Sequence, residues 1–295
     1  MLAIVIPYYR ITFFEATLQS LAKQTDTRFK VYIGDDASPD RPDLLLEKFR
    51  DQFDYIYSRY SENLGNVSLV AQWERCLKLT ADEEWVMVLG DDDVLDIDCV
   101  EQFYSHIENN AAGDYNIIRF ASYIINAAGE LTSPLFIHPV LEKSTDFLLR
   151  KVTGQTRSSL GEYVFRKDVL QQIGFREFPL AWHSDDLAFL QCSDFGNIYS
   201  NNEAVIYIRV SDLSISGKET NIDLKRKASY RFYTLLACNY SKYFTKSQKL
   251  KIIHKIEQYF YRNKSMRLFF NILALHFRQI GVFEVLKFVR RTYKN

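Results

Sequence analysis

The chain has 295 residues, 47% of them hydrophobic and 15% aromatic, with 37 basic and 37 acidic side chains and a formal net charge of zero. That composition excludes intrinsic disorder and leaves room for one large domain, or for one domain and a smaller appendage. Four cysteines, Cys76, Cys99, Cys192 and Cys238, lie far apart without a C-x-x-C pair, which suits reduced thiols in the cytosol rather than a zinc site or a disulfide framework.

At the N-terminus, residues 3–6 (Ala-Ile-Val-Ile) read as a buried strand that Pro7, Tyr8 and Tyr9 bring to an end. No positive leader or cleavage site accompanies this run, so a core strand is expected rather than a signal peptide. No window reaches the ~20 uninterrupted apolar residues of a spanning helix. A helix is predicted over 13–24, with Phe14, Leu18 and Leu21 on one face, then a strand over 30–34. A helix over 44–53, an extended segment at 55–57 and a helix over 67–79 follow. A strand over 85–89 runs directly into Asp91-Asp92-Asp93. Apolar strands alternating with helices predict an α/β fold with a mixed, largely parallel sheet covered on both faces, whose ligands bind beyond the carboxyl ends of the strands. Further on, strands are expected over 117–125 and 204–209, with short helices over 146–152, 167–173 and 185–191. From Ile222 the chain reads as almost wholly helical.

The zero net charge hides a division. Between Ile222 and Asn295 lie 17 Lys and Arg against 3 Asp and Glu, leaving 20 basic against 34 acidic residues upstream. Such asymmetry points to an anionic partner for the C-terminal part.

Three acidic clusters carry the chemistry. Gly34-Asp35-Asp36-Ala37-Ser38-Pro39-Asp40 ends the second strand, where a carboxylate can accept from a base N–H or a ribose hydroxyl; an N-cap for the next helix is the alternative. Gly90-Asp91-Asp92-Asp93 sets three carboxylates side by side, an arrangement that is costly without a cation. Oxygen ligands at a strand end suit Mg²⁺ or Mn²⁺ brought in with a diphosphate; a solvated acidic turn is the alternative. His183-Ser184-Asp185-Asp186 opens a helix and can supply a general base, or simply cap that helix.

Together these stretches resemble the family 2 glycosyltransferases, whose nucleotide-binding domain has the GT-A fold. The opening Ile4-Val5-Ile6-Pro7-Tyr8-Tyr9 is similar to the family's first strand, with Arg10 where an Asn is usual. Asp35-Asp36-Ala37-Ser38 matches its Asp-Asp-Gly-Ser with Ala37 for Gly, and Asn63-Leu64-Gly65 its Asn-x-Gly. Gly90-Asp91-Asp92-Asp93 stands for Asp-x-Asp-Asp, with Gly90 in place of the first acid. Asp185-Asp186 corresponds to its Glu-Asp. The resemblance covers residues 2 to about 217 and implies a catalytic GT-A domain over 1–220 followed by a basic helical extension over 221–295.

It also implies roles. Pro7, Tyr9, Asp35, Asp36 and Asn63 would line the nucleotide site, with Asp91 and Arg209 near the diphosphate. Asp92, with Asp93, would hold Mn²⁺ or Mg²⁺. Asp186, or Asp185 if the register shifts by one, would take the acceptor's proton in an inverting transfer from a nucleotide sugar, a UDP-sugar by family preference. A lipid-linked saccharide of surface-polysaccharide synthesis is the implied acceptor. The amphipathic basic helices after 221 can lie on an anionic membrane surface at the inner face of the cell, pack on the catalytic domain, or form a homodimer seam. Nucleic acid is not expected as a partner, because the acidic clusters would repel it. Two further classes compete: a metal-dependent nucleotidyltransferase, which would release pyrophosphate, and a non-catalytic scaffold that binds a sugar nucleotide without turnover.

Overall fold

Alternation at the N-terminus splits the first strand between two cores. In a computed structural model describing residues 1–109 and 115–294, strand β1 (Leu2–Tyr8) sends Leu2, Ile4 and Ile6 to one face and Ala3 and Val5 to the other, all of them buried. A strand buried on both faces has no polar side, which is why the run 3–6 carries no charge.

The remaining elements follow in order: α1 (Phe14–Ala22), β2 (Phe29–Asp35), α2 (Asp43–Glu47), β3 (Tyr55–Arg59), α3 (Leu69–Leu77), β4 (Trp85–Val88), β5 (Val94–Leu95), α4 (Cys99–Asn109), β6 (Ile117–Ile125), β7 (Leu141–Lys143), α5 (Ser144–Val152), β8 (Tyr163–Arg166), α6 (Lys167–Ile173), α7 (Ser184–Cys192) and β9 (Asn197–Arg209). Four helices close the described chain: α8 (Ile222–Asn239), α9 (Lys246–Asn263), α10 (Met266–Gln279) and α11 (Val282–Lys294).

The strands form one mixed sheet in the order β3-β2-β1-β4-β8-β6-β9-β5, with β7 on β9. The first four are mutually parallel, β8 runs antiparallel to both β4 and β6, and β6 and β9 are parallel with a register shift between Phe120 and Ala121. The carboxyl ends of β1, β2 and β4 therefore share one edge, where the two acidic clusters that end strands were expected to lie.

One core packs α1, α2 and α4 beneath Ile4, Ile33 and Met87. The other joins α3, α5 and α7 to Phe232, Leu236, Ile252, Ile256 and Phe260 of the C-terminal helices. Each such fully buried aliphatic or aromatic side chain contributes roughly 1.5–3 kcal/mol, so α8 and α9 are held by the same apolar packing as the sheet's own helices.

The structure departs from the sequence reading in places. The helix expected over 44–53 stops at Glu47, and the chain then tightens into i→i+3 turns that carry Phe49 and Phe53 onto the core. Strand β9 starts at Asn197 rather than 204, because Ser200 and Asn201 are buried on partners of their own, Arg119 and the Gln102 carbonyl. The short strands β5, β7 and β8 were not anticipated, and helix α4 only as a helical pattern around His106.

Candidate active site

The loop after β4 is built around its three carboxylates. Asp91 Oδ2 accepts the backbone N–H groups of Tyr9 (2.7 Å) and Arg10 (2.8 Å), fastening the end of β1 to this loop. Asp93 Oδ1 accepts the N–H of Arg209 (2.9 Å), fastening it to the end of β9. The Asp92 carboxylate takes no hydrogen bond from any other described residue.

Asp92 and Asp93 also converge. A Cβ built on Gly90 would lie 2.9 Å from Asp92 Oδ1 and 2.9 Å from Asp93 Oδ2. The glycine that replaces an acid here thus leaves open a hollow that any side chain would fill. Burial, followed by repulsion from Asp93 and Asp91, pushes the Asp92 carboxyl well above the usual carboxylate range. Burial raises Asp93 as well, against the Arg209 N–H and the Arg157 charge that favour its ionised form.

Arg209 is not a surface group. Its guanidinium, 6% exposed, donates to the carbonyls of Asp92 (2.9 Å), Asn126 (2.7 Å) and Ala127 (3.3 Å) and lies 4.5 Å from the Phe13 ring centroid. It clamps the acidic loop and sets a positive charge beside Asp92.

The first acidic cluster is enclosed by its own partners. Asp35 accepts from the Ser38 N–H (2.8 Å), the Tyr57 hydroxyl (2.5 Å) and Arg59 (2.6 Å). Asp36 accepts from the N–H groups of Leu64 (2.7 Å) and Gly65 (2.8 Å) and from Arg75. A Cβ at Gly65 would come within 2.5 Å of Asp36 Oδ2, so the Asn-Leu-Gly stretch needs glycine to let its backbone reach this carboxylate. Asn63 holds the same turn through Oδ1, which accepts the Asn66 N–H (2.8 Å). Ala37 has a φ of 52°, the left-handed region that glycine enters without penalty and alanine at a cost of about 1–2 kcal/mol. Pro7 and the Tyr9 side chain stay half-buried at the rim, and Tyr9 O accepts from Ser38 Oγ (2.6 Å).

The third cluster opens α7. Leu180, Ala181 and His183 all have positive φ (61°, 52° and 75°), a concentration of backbone strain of the kind found at functional sites. Asp186 accepts from Lys151 Nζ at one oxygen and pairs with His183 Nδ1 (2.6 Å) at the other. Burial disfavours its charge, but Lys151 and His183 outweigh burial and hold the carboxyl well below the usual range. Half-buried Asp185 has no side-chain hydrogen bond among the described residues, and burial together with repulsion from Asp186 raises it to about 6. The two adjacent acids therefore differ in the direction of their shifts.

The segment 157–163 lies between the clusters. Arg157 and Glu162 pair at 2.6 Å beside Asp93, while Tyr163 Oη and Lys151 Nζ meet at Ser158 Oγ (2.7 and 2.8 Å) on the Asp186 side. Lys151 and Arg157 were missed by sequence reasoning: both sit outside any acidic motif, and only the fold brings them to the edge of the sheet.

The model of the family described as glycosyl transferase family 2 matches residues 3–157, more than half of the chain. The chain belongs to glycosyl transferase family 2. An uncharacterised glycosyltransferase of Mycoplasma genitalium, MG060, is 30% identical over 126 residues, 41% of this family 2 chain and 41% of that protein. The match thus spans well under two thirds of that relative's length. Among solved structures, S. aureus TarS 1-349 is similar over 95% of this chain and 80% of its own, with a TM-score of 0.61 and 15% identity. The same fragment in complex with UDP-GlcNAc gives a TM-score of 0.61 at 16% identity over 94% and 86% of the two chains. At those identities the likeness concerns the fold, and the GT-A expectation holds.

Does this family 2 chain offer a place for the divalent cation its resemblance implies? Among the described residues no group of three or more His, Cys, Asp and Glu side chains is arranged to hold one. The protein itself contributes a pair, Asp92 and Asp93, converging on the hollow over Gly90 with no side-chain cation bonded to them. Magnesium-like ions commonly bind through one or two carboxylates, with substrate phosphates and water completing the shell, and the pair fits an ion carried in that way.

Proposed function

We propose that this protein transfers a sugar from a nucleotide-diphosphate sugar, a UDP-sugar, to an acceptor hydroxyl with inversion at the anomeric carbon. Residues 1–220 would form the catalytic GT-A unit and 221–295 a helical extension. The observation that carries this reading is the convergence of Asp92 and Asp93 on an open hollow at the carboxyl end of β4, with Asp185–Asp186 as a separate acidic pair. The UDP preference is supported by the TarS fragment solved with UDP-GlcNAc.

Asp92 and Asp93 would hold Mn²⁺ or Mg²⁺, which when bound supplies positive charge to the departing diphosphate. Pro7 and Tyr9 would face the nucleoside, and Asp35, Asp36 and Asn63, committed to their own partners, would shape that wall. Asp91 and Arg209 keep the acidic loop in register with β1 and β9. Asp185 takes the proton of the acceptor hydroxyl as its oxygen bonds to C1 and the C1–phosphate oxygen bond breaks on the opposite face. That single displacement inverts the configuration through an oxocarbenium-like transition state. The resemblance pointed to Asp186 for this step; its two committed oxygens support giving it the task of orienting the neighbouring acid instead.

The test is turnover with UDP-GlcNAc, UDP-glucose and UDP-galactose in Mn²⁺. Release of UDP is expected, with the sugar appearing in the anomeric configuration opposite to the donor's. Pyrophosphate release from UTP without sugar transfer would favour a nucleotidyltransferase and end this reading.

A lipid-linked saccharide acceptor and a cytoplasmic, membrane-apposed location belong to the same proposal. No helix among the described residues is long and apolar enough to cross a membrane. Helices α10 and α11 nevertheless expose Phe270, Phe277, Phe283 and Leu286 beside Arg267, Arg278 and Arg290, a combination that suits the surface of an anionic bilayer. Wild-type protein is expected to sediment with phosphatidylglycerol vesicles and not with phosphatidylcholine vesicles. A Phe277→Glu/Phe283→Glu variant should lose about tenfold in partition; equal partition of the two proteins would refute membrane docking by this face.

A further inference from the structure

Trp182 and His183, just ahead of the Asp185–Asp186 pair, line a cleft of ≈ 680 Å³ together with residues of α8 and α9. We infer that this cleft is the acceptor subsite and that it takes an anionic saccharide, a sugar carrying phosphate or carboxylate. The inference rests on the transferase reading above and names the acceptor class for it.

The lining decides the ligand's chemistry. Its charged members are Lys225, Arg226, Lys255 and Arg262, and no Asp or Glu lines it. Lys225 is engaged, donating to the carbonyls of Ser216 (3.0 Å) and Lys218 (3.1 Å). Arg226 pairs with Asp223 on the same exposed helix face, a contact of little energy. Lys255 and Arg262 form no ion pair with any described residue, so two cations face the cleft unneutralised.

The walls are aromatic. Tyr230 of α8 and Tyr259 of α9 stack face to face at 4.4 Å between centroids, 17° apart, so only the outer faces and edges of the pair are left to serve as an apolar platform between the two helices. Trp182 also lines the cleft, with Lys225 Nζ 4.9 Å from its ring centroid. Flat rings offer an apolar surface to the C–H face of a pyranose, and convergent cations fix an oxyanion.

Position ties the cleft to the chemistry. His183 bridges Asp186 (Nδ1, 2.6 Å) and Ser229 of α8 (Nε2, 2.8 Å), and its ring stacks on Phe232 at 4.6 Å. His183 thus joins the wall of the cleft to Asp186, the immediate neighbour of Asp185. The excess of basic residues after Ile222 gains a local purpose here: part of it is directed at the acceptor.

The test is calorimetric titration of full-length wild type and a Lys255→Glu/Arg262→Glu variant with glucuronic acid-terminated and neutral glucose-terminated trisaccharides, and with UDP and Mn²⁺ in parallel. The acidic trisaccharide should bind wild type at least about tenfold more tightly than the neutral one, an advantage that charge reversal and added salt both remove. Affinity for UDP should not change. Tyr259→Ala should weaken both trisaccharides, which separates the platform from the charges. Equal binding of acidic and neutral sugars, no binding of either, or a charge-reversal effect on UDP would overturn the assignment. Loss of phosphatidylglycerol-vesicle binding in the Lys255→Glu/Arg262→Glu variant, with no trisaccharide binding by wild type, would make the cleft a lipid headgroup site and overturn it too. Failure of wild type to bind UDP would instead defeat the transferase reading, leaving the sugar titration to be scored by itself.

Discussion

Asp185→Asn is expected to lower kcat by about 10²–10⁴, the usual contribution of a positioned general base, while leaving the affinity for UDP unchanged. The charged and titratable groups around Asp185 are Asp186 on its own helix, Lys151 from α5 and His183 from the preceding turn. Burial and the Asp186 charge raise it to about 6, with Lys151 and His183 opposing. A base must be deprotonated to act, so kcat/KM should fall tenfold for each pH unit below about 6 and level off above it. The same limb should vanish from the residual activity of Asp185→Asn. If Asp186 were the base, its lowered value would leave the rate flat down through pH 5. A flat acid side in the wild-type profile, or full activity in Asp185→Asn, would therefore return the role to Asp186 or remove it from the pair. Asp186→Asn is also expected to reduce kcat, because it releases Lys151 and His183 from their shared anchor and leaves the Lys151 ammonium without its partner carboxylate.

The second large effect is at Asp92. Asp92→Ala should reduce turnover by about 10³, the order lost when one preorganised electrostatic contact to developing charge is removed. Among the described residues the Asp92–Asp93 pair alone converges at this point, so one deletion halves its share of the ligands. Raising Mn²⁺ from micromolar to millimolar should recover part of the loss in Asp92→Ala, as weakened metal affinity requires. A loss that no concentration of metal relieves would assign Asp92 a purely structural role. Gly90→Asp, which restores the family's usual acid, is expected to fail as well: its Cβ would press on both neighbouring carboxylates at 2.9 Å.

The elements that could be read from sequence were those with an unambiguous apolar period. Strand β1, helix α6 and strand β6 fall where their apolar patterns placed them, β1 running one residue earlier and two later than expected. Short strands escaped, since β8 has four residues and β5 two, too few for any period to register. The acidic clusters were legible because like charges in sequence are expensive and stand out. Their partners were not: Arg59 and Arg75 reach Asp35 and Asp36 from 24 and 39 residues away, and Lys151 reaches Asp186 across 35. Such long-range pairs leave no local pattern.

Of the three carboxylates after β4 the resemblance singled out Asp92 and Asp93 as metal ligands and set Asp91 near the diphosphate; the geometry instead spends Asp91 on the Tyr9 and Arg10 amides and turns Asp92 and Asp93 over Gly90. Ala37 in place of glycine is a comparable case: the substitution is visible in the sequence, its strained φ of 52° only in the fold. The tail was read as basic and amphipathic without assigning its faces. The structure divides it, with α8 and α9 packed on the core around Phe232 and Ile256, and α10 and α11 exposing Phe270, Phe277 and Phe283 while Ile272 and Phe288 join that core.

The most direct measurement of the central claim is isothermal titration of UDP into the wild-type protein and Asp92→Ala, each with and without Mn²⁺. Saturable binding that requires both the metal and Asp92 is the expected result. Absence of metal-dependent binding, or equal binding by the two proteins, would contradict the assignment of the β4 loop as the donor site.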